Sequence, residues 1–126
     1  MPALHGPNIP EIQEKAGPVI GFLLQAAGEP TVYISGDNSE LHVVEEIAQR
    51  IAPVDEAILF AGAAHPIGPE FDMTMTAENT AKAAKLLGAQ RVYIAHTDSW
   101  GHLGEDLQDT IQAFTREGID HKLMNK

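Results

Sequence analysis

Apolar positions along the chain follow two rhythms. Four short stretches are apolar almost without interruption: residues 18–26 (PVIGFLLQA), 31–35 (TVYIS), 56–61 (EAILFA) and 91–95 (RVYIA). Gly, Pro or polar clusters bound each one. Runs of this length with no polar alternation predict strands buried on both faces. The short turn Gly28-Glu29-Pro30 joins the first two as a hairpin. Elsewhere the apolar residues recur at helical spacing. One helix runs from a cap at Asn38 or Ser39 to about Ala52, with Leu41, Val44, Ile47, Ala48 and Ile51 on one face and Pro53 ending it. A second runs from a Thr76 cap to Leu87. Its inner face is small (Ala77, Ala81, Ala84), and Gly88 is placed to take a left-handed terminus. A third spans residues 105–117, with Leu107, Ile111 and Phe114 in register and Gly118 after it. Residues 119–124 read as a last short strand. Residues 1–17, broken by Pro2, Pro7 and Pro10, form an irregular arm, and 62–75 and 96–104 read as loops.

The resulting order, β-β-α-β-α-β-α-(β), is an α/β pattern with several parallel neighbours. At 126 residues the chain is a single domain. Apolar residues at 44% and charged residues at 21% are too apolar a mixture for a disordered chain. Acids outnumber bases 18 to 8, for a formal net charge of −10. That charge argues against a nucleic-acid partner, which requires clustered Lys and Arg, and against docking on an anionic membrane. No apolar run approaches the ~20 residues that cross a bilayer. No basic-then-apolar leader pattern opens the sequence, so a cytoplasmic location is the expectation. The absence of Cys excludes a thiolate zinc site, an iron–sulfur cluster and a Cys nucleophile. Any metal must therefore be held by His, Asp or Glu.

Candidate chemistry lies just past the carboxyl ends of the strands, the edge where α/β sheets bind ligands. Asp37 follows TVYIS as Ser35-Gly36-Asp37. His96 follows RVYIA, in a segment that also carries Trp100 and His102. His65 follows EAILFA at a short distance, and His5 sits in Leu4-His5-Gly6-Pro7. Imidazole and carboxylate donors suit zinc, manganese or iron. A carboxylate can bridge two metals, and a metal pair can activate water. Each residue also has a plainer reading. Asp37 could serve a turn or cap a helix, and His96 could be a hydrogen-bonded strand-end histidine. His5 and His65 could be surface residues, Trp100 and His102 loop packing, and His42 and His121 solvated.

Taken in order, four segments resemble the C-terminal half of the metallo-β-lactamase superfamily. They are Thr31-Val32-Tyr33-Ile34-Ser35-Gly36-Asp37 with its following helix, Val54 to Gly62, Met75-Thr76-Ala77-Glu78, and Leu87 to His96. The resemblance covers residues 3–124. It implies an α/β fold that is half of an αββα sandwich, one mixed sheet with helices on one face. It implies His5 on one metal, Asp37 bridging, His96 on a second metal, and Trp100 and His102 bordering the pocket. The implied activity is metal-dependent hydrolysis of an ester, lactone, amide or phosphoester in a small-molecule substrate, with zinc, manganese or iron as cofactor.

The family's His-x-His-x-Asp-His motif does not occur in the chain. The expectation is therefore an incomplete half, inactive by itself. Its apolar sheet face would need either a second copy, giving a homodimer, or the N-terminal half of the fold. The alternative is a non-catalytic, self-associating module that binds metal or a partner. A flavodoxin-like domain is a more distant option, for which no G-x-G-x-x-G loop is present.

Overall fold

The computed structural model describes residues 2–4, 18–64, 74–97 and 104–125. Its elements in chain order are β1 (Pro2–Leu4), β2 (Pro18–Ile20), β3 (Phe22–Leu24), β4 (Val32–Ile34), α1 (Leu41–Ile51), β5 (Glu56–Phe60), α2 (Ala77–Leu87), β6 (Arg91–Ala95), α3 (Leu107–Arg116) and a 3-10 turn (Asp120–Lys122). β1 and β2 form a two-stranded antiparallel pair. The main sheet has four strands in the order β3-β4-β5-β6. β3 and β4 make the expected hairpin, and β4, β5 and β6 run parallel. The mixed sheet read from the sequence is present, and the carboxyl ends of three of its strands share one edge.

The strands are apolar on both faces but buried on one. Tyr33, Ala57, Leu59, Val92 and Ile94 join a core with Val44 and Ile47 of α1, Ala81, Ala84 and Leu87 of α2, and Phe114 of α3. All three helices therefore cover the same face. The strand register places Leu24, Val32, Glu56 and Arg91 in one row across the opposite face, and Phe22, Ile34, Ile58 and Tyr93 in the next. Large apolar residues there meet solvent: Phe22 is 55% exposed, Leu24 52% and Tyr93 38%. The expectation of burial on both faces is corrected accordingly. The sequence pattern marks surfaces suited to burial, and among the described residues one of them has no cover.

The run 18–26 is two strands in two sheets, broken at Gly21. A Cβ at Gly21 would stand 2.9 Å from the Ile34 carbonyl oxygen and 3.3 Å from that of Ser35. Only glycine lets the backbones approach this closely.

The helix boundaries follow local chemistry. Thr76 caps α2 by accepting from the Asn79 amide, and Gly88 ends it at φ 63°. Both agree with the sequence reading. α1 begins later than expected, with Glu40 at its cap and no side-chain cap bond. Asn38 instead braces the approach, its Oδ1 accepting from Glu40 N at 3.2 Å and its Nδ2 donating to Glu40 O at 3.0 Å. α3 starts at Leu107 because Asp106 and Asp109 form a reciprocal capping box.

The predicted last strand is reduced to one bridge, Val92 to Leu123, after the 3-10 turn. Met124 N donates to Val92 O at 2.8 Å. The Asn125 amide then takes the place of a peptide unit, accepting from Ile94 N at 2.8 Å and donating to Ile94 O at 2.7 Å. The outer edge of β6 is sealed by a tail rather than a strand.

Candidate functional site

The carboxyl edge is built by backbone bonds first. At the end of β4, Ser35 N donates to Ile58 O at 3.0 Å, and the buried Ser35 hydroxyl accepts from Phe60 N at 3.0 Å. The same hydroxyl donates to Gly36 O at 3.0 Å. Gly36 then turns at φ 67°, and Asn38 N reaches back to Gly36 O at 3.0 Å. This i to i+2 bond closes a three-residue turn with Asp37 at its apex. Asp37 is half-buried. It precedes the cap residue Glu40 by three positions, so it does not serve as the N-cap of α1.

At the end of β6, His96 adopts φ 66°, a left-handed conformation that non-glycine residues seldom take. Its ring stacks on Phe60, with centroids 6.0 Å apart and 14° between planes. Its Nδ1 lies 3.2 Å from the Ala61 carbonyl oxygen. That oxygen also accepts from the buried Thr74 hydroxyl at 2.8 Å, and the hydroxyl accepts in turn from Ala64 N at 3.0 Å.

A second clamp ties the neighbouring loops. Glu105 Oε1 accepts from Ala77 N, the first amide of α2, at 3.0 Å, while Glu105 N donates to Gly62 O at 3.0 Å. A carboxylate at this helix start also meets the positive end of the helix dipole.

The parallel pairing thus places Asp37 and His96 on one sheet edge with β5 between them. Two strand spacings separate the chain there, about 10 Å. His5, His65, Trp100 and His102 lie outside the described residues. His42 is exposed beside Glu40, its Nε2 3.1 Å from Oε2, and His121 is exposed in the 3-10 turn. Among the described residues, no group of three or more His, Asp or Glu stands close enough to hold a metal ion. No helix among them is long and apolar enough to cross a membrane. Sequence reading missed Ser35, Thr74 and Glu105. A serine directly before Gly-Asp is the only signal among them, since the other two act on backbone groups distant in sequence.

A family model described as "Beta-lactamase superfamily domain" matches residues 1–97. No curated protein matches the chain. Among solved structures, an isothiocyanate hydrolase from Delia radicum gut bacteria superposes with a TM-score of 0.83 at 22% identity, covering 98% of this chain and 48% of that one. A "possible metal-dependent hydrolase" from Veillonella parvula gives 0.82 at 24% identity, covering 97% and 48%. The metallo hydrolase Igni18 from Ignicoccus hospitalis gives 0.58 at 19% identity, covering 97% and 54%. The chain spans about half the length of these structures, and at such identities the likeness establishes the fold. With the family match over residues 1–97 and the fold in agreement, this chain belongs to the metallo-β-lactamase superfamily.

Proposed function

We propose that this chain supplies half of a metal-dependent hydrolase site, with Asp37 and His96 as its metal donors and His5 as a third. The observation that carries this reading is the parallel β4-β5-β6 order, which sends Gly36-Asp37 and His96 to one edge. Carboxylate oxygen and imidazole nitrogen suit zinc, manganese or iron. The strand ends that carry them are about 10 Å apart, within reach of two side chains that would hold metal between them. Two donors fall short of the three or four protein ligands usual for zinc. A working centre therefore needs His5 and further ligands from outside this chain.

When bound, such metals lower the pKa of a water and act as Lewis acids. The chain's own part is to hold the donors. The turn closed by Asn38 presents Asp37, and Phe60 and the Ala61 carbonyl hold the His96 ring. The proposed substrates are esters, lactones, amides or phosphoesters, and the isothiocyanate hydrolase neighbour adds an isothiocyanate to the panel worth screening. The test is elemental analysis after loading with zinc or manganese and desalting. Asp37→Ala and His96→Ala should each retain less metal than the parent chain, and unchanged stoichiometry in both would overturn the assignment. Chelator-sensitive hydrolysis would establish activity.

The exposed sheet face supports a second reading, a non-catalytic module that self-associates. Phe22, Leu24 and Tyr93 form an apolar surface of the kind that marks an interface, and Ile20 of the neighbouring β2 is also 55% exposed. A two-fold pairing of two copies would bury it on both. The other half of the fold is the competing cover. Sedimentation equilibrium separates the cases, because a monomer at high concentration excludes the homodimer.

A further inference from the structure

We propose that Thr74 is a positioning residue for His96. It anchors the Ala61 carbonyl that fixes the imidazole as the Nδ1–H tautomer, which leaves Nε2 as the nitrogen presenting a lone pair at the sheet edge. A carbonyl oxygen can only accept, so the 3.2 Å contact between Nδ1 and Ala61 O requires the hydrogen on Nδ1. A neutral imidazole carries one N–H, so Nε2 is then bare. Among the described residues, nothing else hydrogen-bonds the ring.

The acceptor itself is held. Ala61 N donates to Ala95 O at 3.0 Å, and its carbonyl receives the Thr74 hydroxyl at 2.8 Å. Thr74 is 1% exposed, and its hydroxyl is pinned a second time by Ala64 N at 3.0 Å. A β-branched side chain has little rotamer freedom with which to abandon both bonds. Phe60, stacked on the ring, sets its plane. His96 meanwhile stays at φ 66°. A residue remains in such a conformation where its surroundings over-determine it, and those surroundings are common at functional sites. Fixing the tautomer of a donor histidine through the hydrogen bond of its other nitrogen is how metal sites orient imidazoles. The consequence for metal rests on the function proposed above. The tautomer does not.

The test is long-range 1H–15N correlation spectroscopy of the metal-free protein at alkaline pH. The parent chain should show His96 predominantly as the Nδ1–H form. Thr74→Val removes the hydroxyl at nearly constant shape, and the Nε2–H population should rise severalfold. Thr74→Ser should restore the parent ratio. Where Thr74→Val does not fold, Thr74→Ala serves as the second removal. Metal affinity of the folded variant should fall roughly 10–100-fold, in line with the loss of outer hydrogen bonds at other metal sites. A parent His96 in the Nε2–H form, or a tautomer ratio indifferent to loss of the Thr74 hydroxyl, overturns the proposal. A parent chain with Nδ1–H upholds it whether or not the chain takes up metal, so the tautomer and the hydrolase reading, tested by metal retention in Asp37→Ala and His96→Ala, fail separately.

Discussion

The imidazole of His96 lies nearly parallel to the ring of Phe60, with 14° between planes and 6.0 Å between centroids. Phe60 follows Ile58 by two positions on β5 and so belongs to the uncovered face of the sheet. One ring thus connects the candidate donor to the apolar surface. Phe60→Leu keeps an apolar side chain but removes the stack, a loss of about 0.5–1.5 kcal/mol. The expected outcome is a folded protein in which the His96 ring resonances broaden, measured by NMR of the imidazole carbons.

Tyr33 gives a stability prediction with a definite pH window. Burial pushes its phenol up to about 12 from the usual 10.0, and the side chain sits 3% exposed beneath the helices. Below about pH 10 the phenol is neutral in both states and its contribution is fully present. Above that the unfolded chain ionises first, so stability falls as pH rises toward about 12. The full loss is on the order of 2–3 kcal/mol. Urea denaturation at stepped alkaline pH should show this decline in the parent chain and a flatter profile in Tyr33→Phe.

Two glycines with similar backbone angles should respond differently to alanine. Gly88 and Gly118 sit at φ 63° and 72°. A Cβ at Gly118 meets nothing within 4 Å, so Gly118→Ala bears the left-handed penalty alone, about 1–2 kcal/mol. A Cβ at Gly88 comes 3.1 Å from Pro53 Cβ, and Gly88→Ala should cost roughly 1 kcal/mol more. Denaturation midpoints at constant slope measure the difference.

Elements whose ends carry their own chemistry were legible in the sequence. α2 lies between a Thr76 cap and a left-handed Gly88, both decided within a few residues. Asp37 and His96 were legible as candidates because each directly follows a strand. Where a distant contact decides, the sequence is silent. The break at Gly21 depends on the Ile34 carbonyl, and an uninterrupted apolar run has no periodicity to reveal it. The tail from Ile119 has strand-like composition, but one bridge and the Asn125 amide complete the edge of β6 in place of a strand. Thr74 and Glu105 act on the Ala61 carbonyl and the Ala77 amide, groups that every residue possesses. An uncovered face looks the same in sequence as a covered one, since both are written in Val, Ile, Leu and Phe.

The exposed face predicts the behaviour of a polar variant. Phe22→Lys with Leu24→Gln places polar groups at positions 55% and 52% exposed. If two copies pair through this face, their association should weaken by at least tenfold in analytical ultracentrifugation, with thermal stability of the monomer little changed. Equal association in the variant would move the interface elsewhere.

The Asn125 amide, laid against Ile94, closes one flank of the sheet to further strands. Unclaimed strand backbone is a template that recruits another strand, and on the β6 side that template is already occupied by the segment from Leu123 to Asn125. Among the described residues β3 is the remaining outer strand of the four. Strand addition at β6 would first require the Asn125 amide to leave Ile94.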